Sequence, residues 1–386
     1  MSPQLSKGPD VSRLLDKVCR RETSIVERIR TLVEIESPTS AKAAVDHAQS
    51  IFGEWAVASG GKLRRHAHRE YGDSLEISFG PKPRKGSSVM LLGHLDTVWE
   101  LGTLARMPWR ATRERISGPG VLDMKSGVVM ALTAVEVLQE LQLLDRQVTL
   151  LIHGDEEVGS PASRKLTEAV ARKSGAVYVL EPAQGDIGAY KTARKAVGMY
   201  RLSVKGIAAH SGVDFEMGHS AIVELARQIE VLHSLTDLSK GTTVNPGVIG
   251  GGTGSNVVAA EAWVEVDVRI AWKQQVARMD RALRGLKPFD KACKLTISGG
   301  MNRPPMERSP GTVALFRRAK KLGAQLDITL EEAATGGASD GNFTSALGVP
   351  TLDGMGAVGA GAHATHEHIV RKHLVPRTAL LAAMLT

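Results

Sequence analysis

Three carboxylates stand side by side in the stretch LIHGDEEVGS, where an apolar run ends at Gly154 and Asp155, Glu156 and Glu157 follow at once. Adjacent acids repel one another and lose solvation at a strand end, so a folded domain holds them there only against compensating positive charge. Other groups capable of chemistry recur in similar settings. GHLDTV puts His94 and Asp96 after the apolar MLL, GPGVLDMKSG puts Asp123 just before a helix-like run, and VLEP closes another apolar run on Glu181. Near the C-terminus, GAGAHATHEH offers His363, His366 and His368. Singly, each has a plain structural explanation: a satisfied polar residue, a helix N-cap for Asp123, a turn before proline for Glu181, an incidental basic loop. Their coincidence argues otherwise, because ligands collect outside the carboxyl ends of strands in open α/β sheets.

Carboxylates and imidazoles together suit zinc, and a set with several acids suits two divalent ions sharing a carboxylate. Two such ions about 3.5–4 Å apart would bring a charge of about +4, which answers the repulsion among the acids. Glu157 would then bind metal, and Asp155 would support a ligand or the turn. Glu156 would be placed to take a proton, and Asp96 to orient a metal-bound His94.

The elements needed to position these groups are legible in the periodicity. Residues 10–58 carry apolar residues at helical spacing, from VSRLLDKVCRRETSIVERIRTLVEI on to DHAQSIFGEWAVAS. SSVMLLGHLDTV is a buried-strand run, and KSGVVMALTAVEVLQELQLL reads as an amphipathic helix with Val128, Leu132, Val135, Leu138 and Leu141 on one stripe. Strand QVTLLIHG, helix SRKLTEAVARK and strand AVYVLEP follow, so the expected fold is α/β, a mainly parallel sheet with helices on both faces. Near residue 197 the texture changes. VGMYRLSVKGI alternates, helix SAIVELARQIEVLHSL follows, then strands TTVNPGVIGGG and AEAWVEVDVRIAW, which together predict an inserted α+β domain. Helix VALFRRAKKLGA and strand-like DITLEE and GVPTLDGMG return to the first texture. The predicted organisation is a catalytic domain over 1–196 and 306–386, interrupted by an insert over 197–305.

Composition bounds the rest. The 386 residues exceed the size at which single cores stop growing, and 42% hydrophobic with 23% charged residues is ordinary for globular chains. No run reaches the roughly 20 apolar residues of a membrane span, and MSPQLSKGPDVSRLLDK lacks a signal-like apolar core, so no membrane association is expected. Cys19 and Cys293 sit in no metal-like or redox-like pair, which favours a reduced, cytoplasmic setting. The net charge of +8 admits anionic partners. Yet the basic patches Arg64-Arg65 to Arg69 and Lys82 to Lys85 are short, and aromatic content is only 4%, so nucleic acid is not an expected partner.

Taken in order, GHLDTV, GPGVLDMKSG, GDEEVGS, VLEP and the late GxGxH segment resemble the dinuclear-zinc family of glutamate carboxypeptidase, acetylornithine deacetylase and succinyl-diaminopimelate desuccinylase. The similarity runs over nearly the whole chain, from residue 20 to the end. It implies a zinc-hydrolase catalytic domain with an inserted lid that dimerises, and two Zn(2+) per subunit, with Co(2+) or Mn(2+) as substitutes. The implied ligands are His94, Asp123 bridging both ions, Glu157, Glu181 and His363, the last framed by Gly361 and Glu367 as in the family. Glu156 would be the general base. KGIAAHSGVDFEMGHSAI resembles the family's histidine segment, so His210 would reach a partner subunit's active site and stabilise the oxyanion. GGTGSNVV and MNRPPME resemble substrate-contacting stretches, which points to Asn256 and Arg303. Glu181, where the aminopeptidase branch tends to have Asp, leans toward carboxypeptidase or deacylase chemistry on a small acidic N-acyl amino acid or peptide. Glu156 would deprotonate a metal-activated water and return the proton to the leaving amine.

Two rival motifs are weaker. Gly337-Ala338-Ser339-Asp340-Gly341 matches GxSxG with Asp353 and a histidine downstream, as in a serine hydrolase, but would leave the upstream acids without a task. Gly354 to Gly359 matches GxGxxG, but no helix-like run follows, so a glycine loop beside the metal site is expected there.

Overall fold

The computed structural model describes residues 10–82 and 88–386. The basic stretch Lys82 to Lys85 therefore runs out of the described residues, as does the start of the N-terminal segment. The chain divides into two compact units, one of residues up to Ala193 with 308–335 and 339–386, the other of Arg194–Glu307 with Gly336–Ala338.

The first unit is built on a six-stranded sheet in the order Lys62–His66, Gly72–Phe79, Val148–Gly154, Val89–His94, Ala176–Val179 and Thr351–Leu352. The last four run parallel; the first two form an antiparallel hairpin on the edge. Sequence reading missed that hairpin because KLRRH is polar and its strand is largely exposed. The two central strands read as apolar runs because every residue of Val89–His94 and Val148–Gly154 is buried, as a strand covered on both faces requires. Met90, Leu92, Leu151 and Val177 pack with Val170 and Ala171 of the helix Arg164–Ala171 on one face. The larger core, with Leu91 and Leu150, lies on the other.

Three expectations need correction. The helical stretch 10–34 is two helices, Val11–Cys19 and Glu22–Glu34, broken at Arg20 and Arg21, and a third runs over Lys42–Ala58. Ser126–Glu140 is not a one-stripe amphipathic helix. It is buried without interruption from Ser126 to Val135, because it lies between the sheet on one side and the helices Val11–Cys19, Glu22–Glu34 and Leu374–Met384 on the other. The strand expected over DITLEE begins only at Glu332 and runs to Thr335. A second small sheet was not foreseen. It orders Gly359–Ala360, His368–Val370, Arg115–Ser117 and Arg110–Ala111, and its strands of two or three residues are too short to show a period.

The second unit carries a four-stranded antiparallel sheet in the order Thr242–Gly251, Glu261–Ile270, Ala196–Lys205 and Lys294–Arg303. Helices Ala221–Ser234 and Lys273–Arg284 cover one face over a core that includes Leu202, Leu225, Val264, Val266 and Leu283. Alternating burial along Ala196–Lys205 is the period-two pattern visible in the sequence.

Leu132, fully buried in the larger core, sets a test of this packing. Leu132→Ala is expected to lower the unfolding free energy by about 2–5 kcal/mol in chemical denaturation. A loss below about 1 kcal/mol would contradict a helix enclosed on all sides.

Candidate metal centre

Three neighbouring parallel strands end at one edge. His94 closes its strand in register with His153, and the backbone leads from there to Asp96 on one strand and to Asp155, Glu156 and Glu157 on the next. Glu181 follows the third, Ala176–Val179. The fourth group, Asp123, comes from no strand of this sheet. It sits at a kink between Gly120 and the helix Ser126–Glu140, with a cis peptide between Asp123 and Met124.

Asp96 ties two of these strand ends together. Its carboxylate accepts the backbone N–H of Glu156 at 3.2 Å and of Glu157 at 3.1 Å, and the Thr39 hydroxyl at 2.7 Å. His94 Nδ1 lies 3.0 Å from the Asp96 carbonyl and 3.4 Å from its carboxylate, so backbone and side chain together fix the ring and turn Nε2 into the cleft. Asp155 belongs to the turn: its Oδ2 accepts from the N–H groups of Ala162 at 2.8 Å and Ser163 at 3.1 Å.

Glu367 performs the matching task for Asp123. Fully buried, it accepts from the backbone N–H of Gly120, Leu122 and Asp123 and from the Trp99 indole, at 2.8–3.1 Å. It stands at the foot of the hairpin that also carries His363, and that hairpin pairs with Arg115–Ser117 upstream of Asp123. The small sheet is thus the device that delivers Asp123 and His363 to the same place. Sequence reading used Glu367 only as a frame for His363; its position between His366 and His368 was the available signal.

The carboxylate of Asp123 faces two ways. Oδ1 lies 3.4 Å from His94 Nε2, which is 3.7 Å from Glu181 Oε1. Oδ2 lies 3.5 Å from His363 Nε2, which is 3.2 Å from Glu157 Oε2. Single ligand atoms of His94, Asp123 and Glu157 all fall within 4.8 Å of one another, and the same holds for His94, Glu156 and Glu181. His94 Nε2, Asp123 Oδ1 and Glu157 Oε1 are buried and make no hydrogen bond. Leaving such atoms unsatisfied costs about 1–3 kcal/mol each, and a coordinated cation removes that cost. The donor set therefore fits hard or borderline divalent ions.

Electrostatics agree. Burial, with the charges of Asp123 and Asp96 behind it, pushes the Glu157 carboxyl up to about 7, although His363 opposes the shift. Burial of His94 favours its neutral form, but Asp123, Asp96 and Glu181 outweigh it and hold the imidazole well above its ordinary range. His363, in a left-handed backbone conformation at φ 61°, is raised to about 10 by Asp123 and Glu157. The acids thus favour the charged form of both imidazoles.

The remaining candidates lie elsewhere. His366 is exposed, and His368 belongs to a strand, its Nδ1 2.8 Å from the His366 carbonyl. His210, Asn256 and Arg303 belong to the second unit. There the exposed His210 bridges Val257, and Ser211 N–H donates to the Asn256 carbonyl, so their loops are neighbours; Arg303 is buried at a strand end. Ser339 is corrected as a nucleophile. It is fully buried, and its hydroxyl donates to Asp353 at 2.6 Å, where a hydrolase serine would face an imidazole. The GxGxxG segment is a glycine loop: Gly356 N–H donates to the Glu181 carbonyl, and a Cβ there would meet the Leu180 carbonyl oxygen at 2.1 Å.

Comparison with known proteins places this geometry. Over 314 residues the chain is 28% identical to carboxypeptidase G2 of Pseudomonas sp. (strain RS-16), covering 79% of this chain and 74% of that protein. Among solved structures, aminopeptidase PepT of Bacillus cereus superposes with a TM-score of 0.78 at 21% identity, over 94% of this chain and 98% of that one. The Bacillus subtilis YxeP protein, described as a dinuclear metal binding peptidase of the M20 family, superposes with a TM-score of 0.69 at 13% identity, over 95% and 98%. At those identities the structural likeness speaks for the fold. The sequence profile of peptidase family M20/M25/M40 matches residues 90–386, from the strand that ends in His94 to the last residue, and the chain belongs to that family of metallopeptidases.

Proposed function

We propose that the protein hydrolyses the amide bond of a small acidic N-acyl amino acid or peptide and releases a C-terminal, glutamate-like amino acid. One observation carries this reading: Asp123 turns one carboxylate oxygen toward His94 and Glu181 and the other toward His363 and Glu157, while Glu156 stands within reach of the first group. The likeness to carboxypeptidase G2 supports release of a C-terminal residue. Two zinc ions would be held by His94, Asp123 and Glu181 and by His363, Asp123 and Glu157. Bound there, they would polarise the scissile carbonyl and lower the pKa of a water to about 7.

Glu156, buried beside the ligands, takes the water's proton and hands it to the leaving amine. Asp96 holds Glu156 and Glu157 in place through their backbone N–H groups. His210 stabilises the oxyanion, Asn256 contacts the substrate, and Arg303 clamps the free carboxylate bidentately. The second unit also serves as lid and dimerisation domain. Its strand Thr242–Gly251 lies at the sheet edge with Val248 and Ile249 exposed, and the adjoining helix exposes Ile222 and Val223. An apolar edge of this kind invites pairing with a second copy, which would deliver His210 in trans. The free cysteines Cys19 and Cys293 favour a cytoplasmic setting; among the described residues no helix is long and apolar enough to cross a membrane.

Glu156→Ala is expected to lower kcat by about 10²–10⁴-fold against a panel of N-acyl glutamates, dipeptides and acetylated amino acids, with two metal ions per chain retained in elemental analysis. Loss of an ion from this variant would make Glu156 a ligand instead of the base. Chelation should silence the wild-type enzyme and zinc restore it.

For the dimer, Val248→Lys combined with Ile249→Lys is expected to yield monomers in light scattering and to abolish turnover, with metal content unchanged. A fully active monomer would remove the in-trans role of His210.

A further inference from the structure

The motif Gly337-Ala338-Ser339-Asp340-Gly341 has no nucleophile to offer, yet its polar side chains are among the most buried in the first unit. Ser339, Asp340 and Asp353 are at most 3% exposed, and so is Ser160, just beyond the acid loop. The Ser160 hydroxyl donates to Asp340 Oδ1. One residue earlier in the motif, the Ser339 hydroxyl donates to Asp353 Oδ2 at 2.6 Å and accepts the Gly341 N–H at 3.1 Å, while Ser339 N–H donates to Asn342 Oδ1. Asp353 opens the glycine loop whose Gly356 N–H donates to the Glu181 carbonyl at 2.9 Å. Three hydrogen bonds, joined by short stretches of backbone at Ser339-Asp340 and Asp353–Gly356, thus lead from the turn after Glu157 to the backbone of Glu181.

We propose that Asp340 is a positioning residue: with Ser339 it forms a buried strut between the loop bearing Glu156 and Glu157 and the turn bearing Glu181, and so fixes the spacing of the metal-binding acids. The acid loop needs such a tether. Gly159 and Ser160 both lie in the left-handed region, at φ 93° and 58°, and for a serine that conformation persists only where its surroundings impose it. The other anchors act within the loop or toward one strand. Asp155 binds the N–H groups of Ala162 and Ser163, and Asp96 binds those of Glu156 and Glu157. The strut runs from the acid loop toward Glu181 by a route outside the sheet. A hydroxyl donating to a carboxylate is a strong hydrogen bond, and in this buried setting it holds the turn firmly.

Provided that Glu157 and Glu181 are ligands, as proposed above, releasing the strut should loosen metal binding. Supports behind metal ligands typically cost about 10–100-fold in affinity when removed. The readout is Zn(2+) titration of chelator-stripped full-length protein against a chromophoric competing chelator. Ser160→Ala, which changes no charge, is expected to weaken at least one ion by about tenfold. Asp340→Asn keeps an acceptor oxygen and should lose only about threefold, whereas Asp340→Ala should lose about tenfold or more, with no further loss when Ser160→Ala is added. Zinc affinity within about twofold of wild type in Ser160→Ala overturns the strut, whatever Asp340→Ala does, because a loss confined to Asp340 would reflect only a missing negative charge. If Asp340→Ala does not fold, Ser160→Ala alone decides. Glu157→Gln tests the underlying assignment separately. Should it retain both ions at full affinity, the ligand reading fails; should it lose an ion while Ser160→Ala loses none, only the strut fails.

Discussion

Carboxylates confined to a buried cleft repel with an energy that grows as water is excluded, and the first unit is organised around that constraint. Asp123, the adjacent Glu156 and Glu157, and Glu181 converge on His94 from three segments. No amount of packing makes such a cluster favourable. Acceptors behind the backbone, Asp96 for Glu156 and Glu157 and Glu367 for Asp123, hold these segments in place, while Asp123 Oδ1 and Glu157 Oε1 make no hydrogen bond. His94 and His363 meet part of the demand, both driven toward the charged form by the acids they face. Divalent ions would meet it fully and return the imidazoles to neutral ligands.

The fixing groups divide the task by chemistry. Backbone N–H groups are held by carboxylates that take no part in the cluster itself: Asp96 for the acid loop, Asp155 for the turn behind it, Glu367 for the Asp123 kink. Each is almost wholly buried and accepts at least two hydrogen bonds, so desolvation is offset and the side chain has one stable arrangement. Burial raises the Glu367 carboxyl even so, against the donors that pull it down. The parallel strands supply the coarse placement, within a few ångströms, and these carboxylates supply the fine one.

This division explains what the sequence disclosed. Apolar runs ending abruptly in His94, Asp155 and Glu181 are strands covered on both faces, and their ends are visible because polarity changes at one residue. The order of the motifs carried the family. What stayed hidden depends on contacts between distant segments. Asp123 reads as an N-cap because its neighbours in sequence are a glycine turn and a helix; the sheet that aims it has strands of two or three residues. The helix Ser126–Glu140 shows an apolar stripe in sequence, but Val129, Met130, Ala131 and Ala134 on its other sides are equally buried. Small and branched residues there serve close approach between layers, which a periodicity scan reads as indifferent. Ser339 shows the converse: a motif match whose serine is enclosed and already committed to Asp353.

Burial alone does not distinguish a ligand from a support, since Asp96, Asp155, Glu156, Glu181 and Glu367 are all nearly inaccessible. Hydrogen bonding separates Asp96 and Glu367 from Asp123 and Glu157, though not Asp155, whose Oδ1 is also without a hydrogen bond. Asp96 and Glu367 spend their lone pairs on backbone N–H groups a few bonds from the acids they serve, whereas Asp123 Oδ1 and Glu157 Oε1 make no hydrogen bond. A carboxylate that forgoes hydrogen bonds in a buried site is costly to the apo fold, and the cost is greatest where several do so together. A cation held there would recover that cost. The stability of this unit and the metal affinity proposed for it would therefore be two faces of one electrostatic arrangement, set by which oxygens are left unsatisfied.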